Sequence, residues 1–190
     1  MEELPLISDS YGTGDYGDYL VEIRERLNVV IDHFLFATLP DASKDESVHL
    51  QIARQGMDEL NKGIEKDFYK RKKDAEHSGG YELSSCFQIS YDIRKATSTL
   101  TDADEFVRVY THVFLNPPYG LRFESGFGGR RICSQTIAKL FGDLSGFTIR
   151  RWSSDWSPYF DAGNEWGGAY LWTLVSDDGR GWWVGSSATD

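Results

Sequence analysis

YLWTLVSDDGRGWWVG, from Tyr170 to Gly185, decides how the rest of the chain is read. Tyr170, Trp172 and Leu174 recur at a period of two, as do Trp182 and Val184, which is the pattern of strands whose alternate side chains enter a core. Between them Asp177-Asp178-Gly179-Arg180 supplies an Asp-Gly turn, so the two runs predict a β-hairpin. Phe147 and Ile149 extend the alternation upstream, and the whole last third reads as an antiparallel meander with Trp172 in its core. All six tryptophans lie between Trp152 and Trp183, as expected of strands that anchor a sheet with large rings.

The first half follows a different rhythm. Leu20, Ile23, Leu27, Val30 and Phe34 are spaced by three or four residues and predict a helix ended by Pro40-Asp41. Leu50, Ala53, Met57, Leu60, Ile64 and Phe68 predict a second, longer helix, with Gly56 and Gly63 off its apolar stripe. That helix ends in KDFYKRKKD, where Lys66, Lys70, Arg71, Lys72 and Lys73 complement the negative end of the helix dipole. After a break at His77 to Gly80, the alternation of Phe87, Ile89, Tyr91 and Ile93 predicts a strand. Thr101 and Asp104 are spaced like a capping box ahead of a third helix through Phe106, Val109, Tyr110, Val113 and Phe114. Asn116-Pro117-Pro118 stops it, and Ile132 to Phe141 predicts a fourth helix with Gly142 or Gly146 beyond its end. Helices first and antiparallel strands last predict one α+β domain, about four helices packed on one face of the sheet, over residues 19–190. Residues 1–18, rich in Gly, Ser and Asp from residue 8 onward, are expected to be a flexible lead-in.

Composition bounds the function. Thirty acidic and twenty basic residues among 190 give a formal charge of -10, which repels nucleic acid and anionic lipid and favours a basic protein partner. Two cysteines, Cys86 and Cys133, are too few for a disulfide scaffold. The acidic N-terminus lacks the features of a secretory signal, no transmembrane-length apolar stretch follows, and a soluble cytoplasmic protein is expected.

Motifs that carry chemistry are sparse. His33, His49, His77 and His112 show no metal-ligand spacing, and neither a metal nor a cofactor is expected. A thiol-imidazole pair of Cys86 or Cys133 with His112 is an arrangement that any chain with these residues offers. Asn116-Pro117-Pro118-Tyr119 is spelled like the tetrad of amino-group DNA methyltransferases, and the resemblance covers four residues. The family's glycine-rich cofactor loop should precede the tetrad after a strand, whereas Gly126 to Gly129 follows it. No catalytic residue is assigned. The richest segment is Trp152 to Trp166, where Asp155, Asp161, Asn164 and Glu165 stand among Trp156, Tyr159 and Phe160. Asp155, Trp156, Asp161, Asn164 and Glu165 are therefore the expected partner-binding residues, on a loop that also caps the core. The acidic balance and aromatic, Gly-punctuated C-terminal portion resemble small bacterial immunity or inhibitor proteins in general character. That resemblance implies an inhibitor that neutralises a basic protein. The alternative is a carbohydrate- or polar-ligand-binding module, or a small hydrolase, using Asp155, Asp161 and Glu165 with stacking by Trp156 or Trp166.

Overall fold

The computed structural model describes residues 3–26, 31–42, 45–78, 88–116, 127–165 and 168–187. The meander is present as β4 (Phe147–Trp152), β5 (Tyr170–Ser176) and β6 (Arg180–Ser186), with Trp172 opposite Val184 and Leu174 opposite Trp182. Gly179 takes the turn at φ +89, a conformation that a Cβ disfavours, and Asp178 accepts a hydrogen bond from Arg180 Nε at 3.0 Å. Among the described residues three further strands join an antiparallel sheet: β1 (Leu6–Asp9), β2 (Asp32–Ala37) and β3 (Ser98–Thr101), in the order β1-β2-β6-β5-β4-β3. With four helices of ten residues or more among the described residues, this is one α+β domain: α1 (Gly17–Arg26), α2 (Glu46–Ser78), α3 (Ala103–Leu115) and α4 (Phe127–Leu140).

The helices cover both faces of the sheet rather than one. Leu35, Ile149, Trp172, Leu174, Trp182 and Val184 join α1, α3 and α4 in one core. Phe34, Phe36, Trp152, Leu171, Val175 and Trp183 join α2 in the other. Successive residues of a strand face opposite ways, so a central strand that is apolar at every position must be covered twice. Burial of Phe34 or Trp183 is worth about 1.5 to 3 kcal/mol each by transfer, which favours a second layer over an open face.

Several local expectations change for the same reason. Phe34 lies on β2, not on the first helix, which reaches Arg26; the continuous apolar run from Phe34 to Phe36 is that of a doubly covered strand. Residues 6–9, inside the expected lead-in, form edge strand β1, and the loop after it is tied down because Asp9 Oδ1 accepts from the backbone N–H groups of Tyr11 at 2.8 Å and Thr13 at 2.9 Å. Residues 88–92 are not a strand, and Ile93–Lys95 is a short 3-10 turn. The strand of this region is β3, and Asp102 rather than Thr101 caps α3, its carboxylate accepting from Glu105 N–H at 2.7 Å. On α2, Ala53, Met57 and Leu60 are buried, whereas Leu50 is 37 % exposed and His49 and Ile52 face the sheet instead. Gly56 and Gly63 are sites of close approach: a Cβ would lie 2.2 Å from Cδ1 of Trp183 at the first and 2.3 Å from Cε2 of Tyr11 at the second. Among the described residues no helix is long and apolar enough to cross a membrane.

Candidate functional site

Strand β4 delivers the chain to the segment that the sequence singles out. Beyond Trp152 the backbone makes a 3-10 turn, Pro158–Phe160, and a short helix α5 (Asp161–Glu165). Ser157 starts the turn, its hydroxyl accepting from Tyr159 N–H at 3.2 Å and donating to the carbonyl of Ser90 at 2.9 Å. Asp92 N–H donates to the Trp156 carbonyl at 2.8 Å, and the Tyr91 and Trp156 rings meet edge to face at 6.1 Å. Segment 88–92 is pinned on its other side by Asn61 of α2, whose amide accepts from Ile89 N–H at 2.7 Å and donates to Ile89 O at 2.9 Å. Side-chain hydrogen bonds thus do for this segment what a ladder does for a strand.

Together the two segments line an open depression of about 440 Å³ that includes Asp92, Lys95, Asp155, Pro158 and Asp161. Of the residues expected at a partner surface, Asp155 and Asp161 are exposed and both line it. Asn164 is exposed and accepts from the Ser154 hydroxyl at 3.1 Å, and Glu165 is the last residue of α5. Trp156 also borders the depression but is only 3 % exposed, packed against Tyr91 and Phe160 with its indole N–H donating to Ser153 O at 2.6 Å. Trp166 lies outside the described residues. Asp92, which the alternation places on a strand, and Lys95 are additions that the sequence alone does not single out. Arg94 holds the Asp92 carboxyl below the usual carboxylate range by side-chain hydrogen bonds at 2.8 and 3.1 Å.

A second polar constellation lies elsewhere. Asp32, at the start of β2, accepts hydrogen bonds from the hydroxyls of Tyr159 and Tyr11 and faces Arg24 of α1 and Asp67 of α2. Arg24 pairs with Asp67 and lies over the Tyr11 ring at 4.3 Å, while Lys66 Nζ donates to Tyr11 O at 2.8 Å. Burial pushes the Asp32 carboxyl up to about 6, with Asp67 raising it further and Arg24 opposing. Burial likewise pushes both phenols up, so Tyr11 and Tyr159 remain donors. On the opposite face of β2, His33 is 1 % exposed, its Nε2 is 3.0 Å from the Tyr110 hydroxyl, and burial pushes its imidazole down to about 3.

The remaining candidate chemistry separates in space. Cys133 is buried and its thiol donates to Thr111 Oγ1 at 3.6 Å, whereas His112 is exposed; burial raises the thiol, which opposes a nucleophilic role. Cys86 lies outside the described residues. His49 Nδ1 and the Trp152 indole N–H both meet the Thr173 hydroxyl, at 2.8 and 2.9 Å. Asn116 ends α3, its amide donating to His112 O at 2.7 Å, and every strand pair in the sheet is antiparallel, so the parallel doubly wound sheet of the methyltransferase reading is absent among the described residues. Within the described residues no group of three or more His, Cys, Asp or Glu is arranged to hold a metal ion. Comparison with protein-family models, with curated proteins and with solved structures finds no match to this chain.

Proposed function

We propose that the chain is an acidic cytoplasmic binding protein that neutralises a basic protein partner, in the manner of an inhibitor or immunity protein, and that the depression of Asp92, Asp155 and Asp161 receives a basic side chain of that partner. The observation that carries this reading is that two exposed carboxylates, Asp155 and Asp161, line one depression with Lys95 and with Asp92, which Arg94 already pairs, in a chain of net charge -10. Both loops are held by buried anchors, which lowers the ordering cost of association. Of the two rings on which the carbohydrate or hydrolase alternative would stack a ligand, Trp156 is enclosed by Tyr91 and Phe160 and Trp166 lies outside the described residues. Affinity capture from cell extract, with the wild-type chain and a chain carrying Asp155→Asn, Asp161→Asn and Glu165→Gln as parallel baits, tests the proposal. A basic protein retained by the wild type and lost by the triple variant is expected, with association slower and less salt-dependent. Equal retention by both baits, or no protein retained while a sugar raises the melting temperature, refutes it.

A further inference from the structure

The two segments that line the acidic depression adjoin, in the chain, the outermost pair of strands. Segment 90–95 leads directly into β3, and segment 155–161 follows directly from β4, whose last residue Trp152 stands opposite Ser98, the first of β3. Strand β3 is the terminal strand of the sheet, and among the described residues it pairs on one side only. The hydrogen-bond phase of that pairing is set by Ser153 N–H, which donates to the carbonyl of Thr97 at 2.8 Å. Thr97 and Ser153 are one step beyond the Ser98 and Trp152 pair, so they form a hydrogen-bonded pair and the next, Ser98 with Trp152, does not. By the same alternation Thr99 bonds across to Arg151, whereas Leu100, opposite Arg150, turns its N–H and C=O outward with those of Ser98. Leu100 is moreover 69 % exposed, an apolar side chain standing on an open edge. Native edges are commonly blunted by lysine, proline or a bulge, and Ser98–Thr101 carries none of the first two.

We propose that the free edge of β3 is the docking strand for the basic protein partner: an extended segment of the partner adds antiparallel to Ser98–Thr101, and the basic residue that follows it enters the depression of Asp92, Asp155 and Asp161. The inference rests on the proposed role of that depression and deepens it by specifying the partner's conformation. Charge complementarity and the chain continuity of segment 90–95 with β3 select this occupant. A second copy of the chain would bring another charge of -10 to the same acidic place. An antiparallel segment runs from the Thr101 end toward the Ser98 end, so its C-terminal continuation is the part that meets the carboxylates. Backbone pairing supplies affinity, Leu100 covers an apolar side chain, and the carboxylates select the following residue.

The test uses the full chain and a fluorescein-labelled synthetic peptide of alternating threonine and valine followed by glycine and two lysines, with binding read by fluorescence anisotropy. Leu100→Pro removes an N–H that points away from β4 and leaves the ladder to β4 intact, while Leu100→Thr keeps the N–H. The expected result is binding by the wild type, within about threefold by Leu100→Thr, and about tenfold or more weaker by Leu100→Pro, since one lost hydrogen bond and a blocked approach together exceed the 1.4 kcal/mol of a tenfold change. A peptide with N-methylated valines is the arm that requires no change in the protein, and it is expected to bind as weakly as Leu100→Pro does the parent peptide. Unchanged binding by both the proline variant and the methylated peptide overturns the edge proposal; if Asp155→Asn with Asp161→Asn then abolishes binding, the depression reading survives without it. Loss with proline but not with the amides sustains the edge and refutes the depression. No binding of the parent peptide, or a wild-type dimer that Leu100→Pro dissociates in sedimentation, overturns the proposal, the latter by assigning the edge to a second copy.

Discussion

Asp32→Asn is expected to reveal a pH dependence that the wild type conceals. In the fold the Asp32 carboxyl titrates near 6, against 3.8 when unperturbed. The native state therefore holds a proton that the unfolded chain has released, and the stability Asp32 contributes is complete below about pH 4 and lost as pH rises through about 6. His33, adjacent in sequence, titrates near 3 in the fold against 6.5 unperturbed, so its contribution is complete above about pH 6.5 and lost as pH falls toward 3. Between about pH 4 and 6 the two slopes oppose, each about 1.4 kcal/mol per pH unit, and nearly cancel. Asparagine keeps an oxygen for the hydroxyls of Tyr11 and Tyr159 and leaves Arg24 its partner Asp67, but removes the proton. The variant should match the wild type at pH 4 and exceed it by up to about 3 kcal/mol at pH 7, or about 6 to 12 °C in Tm for a chain of this size. Between these pH values its stability should climb at the slope of His33 alone. Urea unfolding followed by tryptophan fluorescence at half-unit steps from pH 4 to 7.5 measures both. A variant less stable than the wild type at pH 7, or one with an unchanged profile, would show that Arg24 stabilises the ionised carboxylate by more than burial costs it.

Trp172→Ala empties a site that is 1 % exposed, with Phe106 edge-on at 5.4 Å and Tyr170 stacked at 5.3 Å, and should cost about 3 to 5 kcal/mol in urea unfolding. Gly56→Ala would ordinarily gain up to about 1 kcal/mol in a helix interior, but the new Cβ meets Trp183 at 2.2 Å, so a net loss of stability is expected and a gain would contradict the packing of α2 on β6. Thr173→Val removes the hydroxyl shared by His49 and Trp152 and should cost about 1 to 3 kcal/mol with a shift in tryptophan emission; a cost under about 0.5 kcal/mol would mean that neither group depends on it.

The meander was legible because its strands end at a strong turn signal: Asp178-Gly179 fixes the hairpin, and the ladder of β5 and β6 follows. The stripes of α2 and α3 were legible because each buries one face. Strand β2 was not, since a strand covered on both faces loses its period of two, and Phe34 happens to fall at helical spacing from Leu20 and Ile23. The opposite error arose at Ile89, Tyr91 and Ile93: the first two lie on an extended segment held by Asn61 and Ser157 instead of by a neighbouring strand, and Ile93 opens a 3-10 turn. Strand β3, with Ser98, Thr99 and Thr101 around one apolar residue, carries too little hydrophobic signal to be read alone; a single pairing to β4 makes it a strand. Asp155 and Asp161 were visible as carboxylates among aromatics, but the depression needs Asp92 and Lys95, which only the approach of the two segments supplies. Asp32 was hidden by the error at β2, because its partners come from a loop, two helices and a turn far apart in sequence.

The two acidic constellations differ in what they can do because they differ in solvent. Asp32 is surrounded by groups that satisfy it, two hydroxyls and the field of Arg24, so its charge is an internal matter and reads out as stability. Asp155 and Asp161 are exposed on a segment fixed by the indole of Trp156 and the hydroxyl of Ser157. Their charges contribute little to folding, about 0 to 1 kcal/mol for solvated groups, and remain free to act on a partner. On the proposed binding role, a rigid rim with exposed charge would speed encounter and slow departure by separate means: the carboxylates would set the field, and the buried anchors would hold the shape that a bound segment must match. Substitutions at Asp155 or Asp161 should accordingly alter the association rate and its salt dependence, whereas Ser157→Ala, which removes the side-chain tie from the turn to Ser90 O without changing charge, should raise the dissociation rate and leave the salt dependence as it is. Stopped-flow measurement of both rates at two salt concentrations separates the effects, and a change of association rate alone in the Ser157 variant would show that the anchors hold no part of the bound shape.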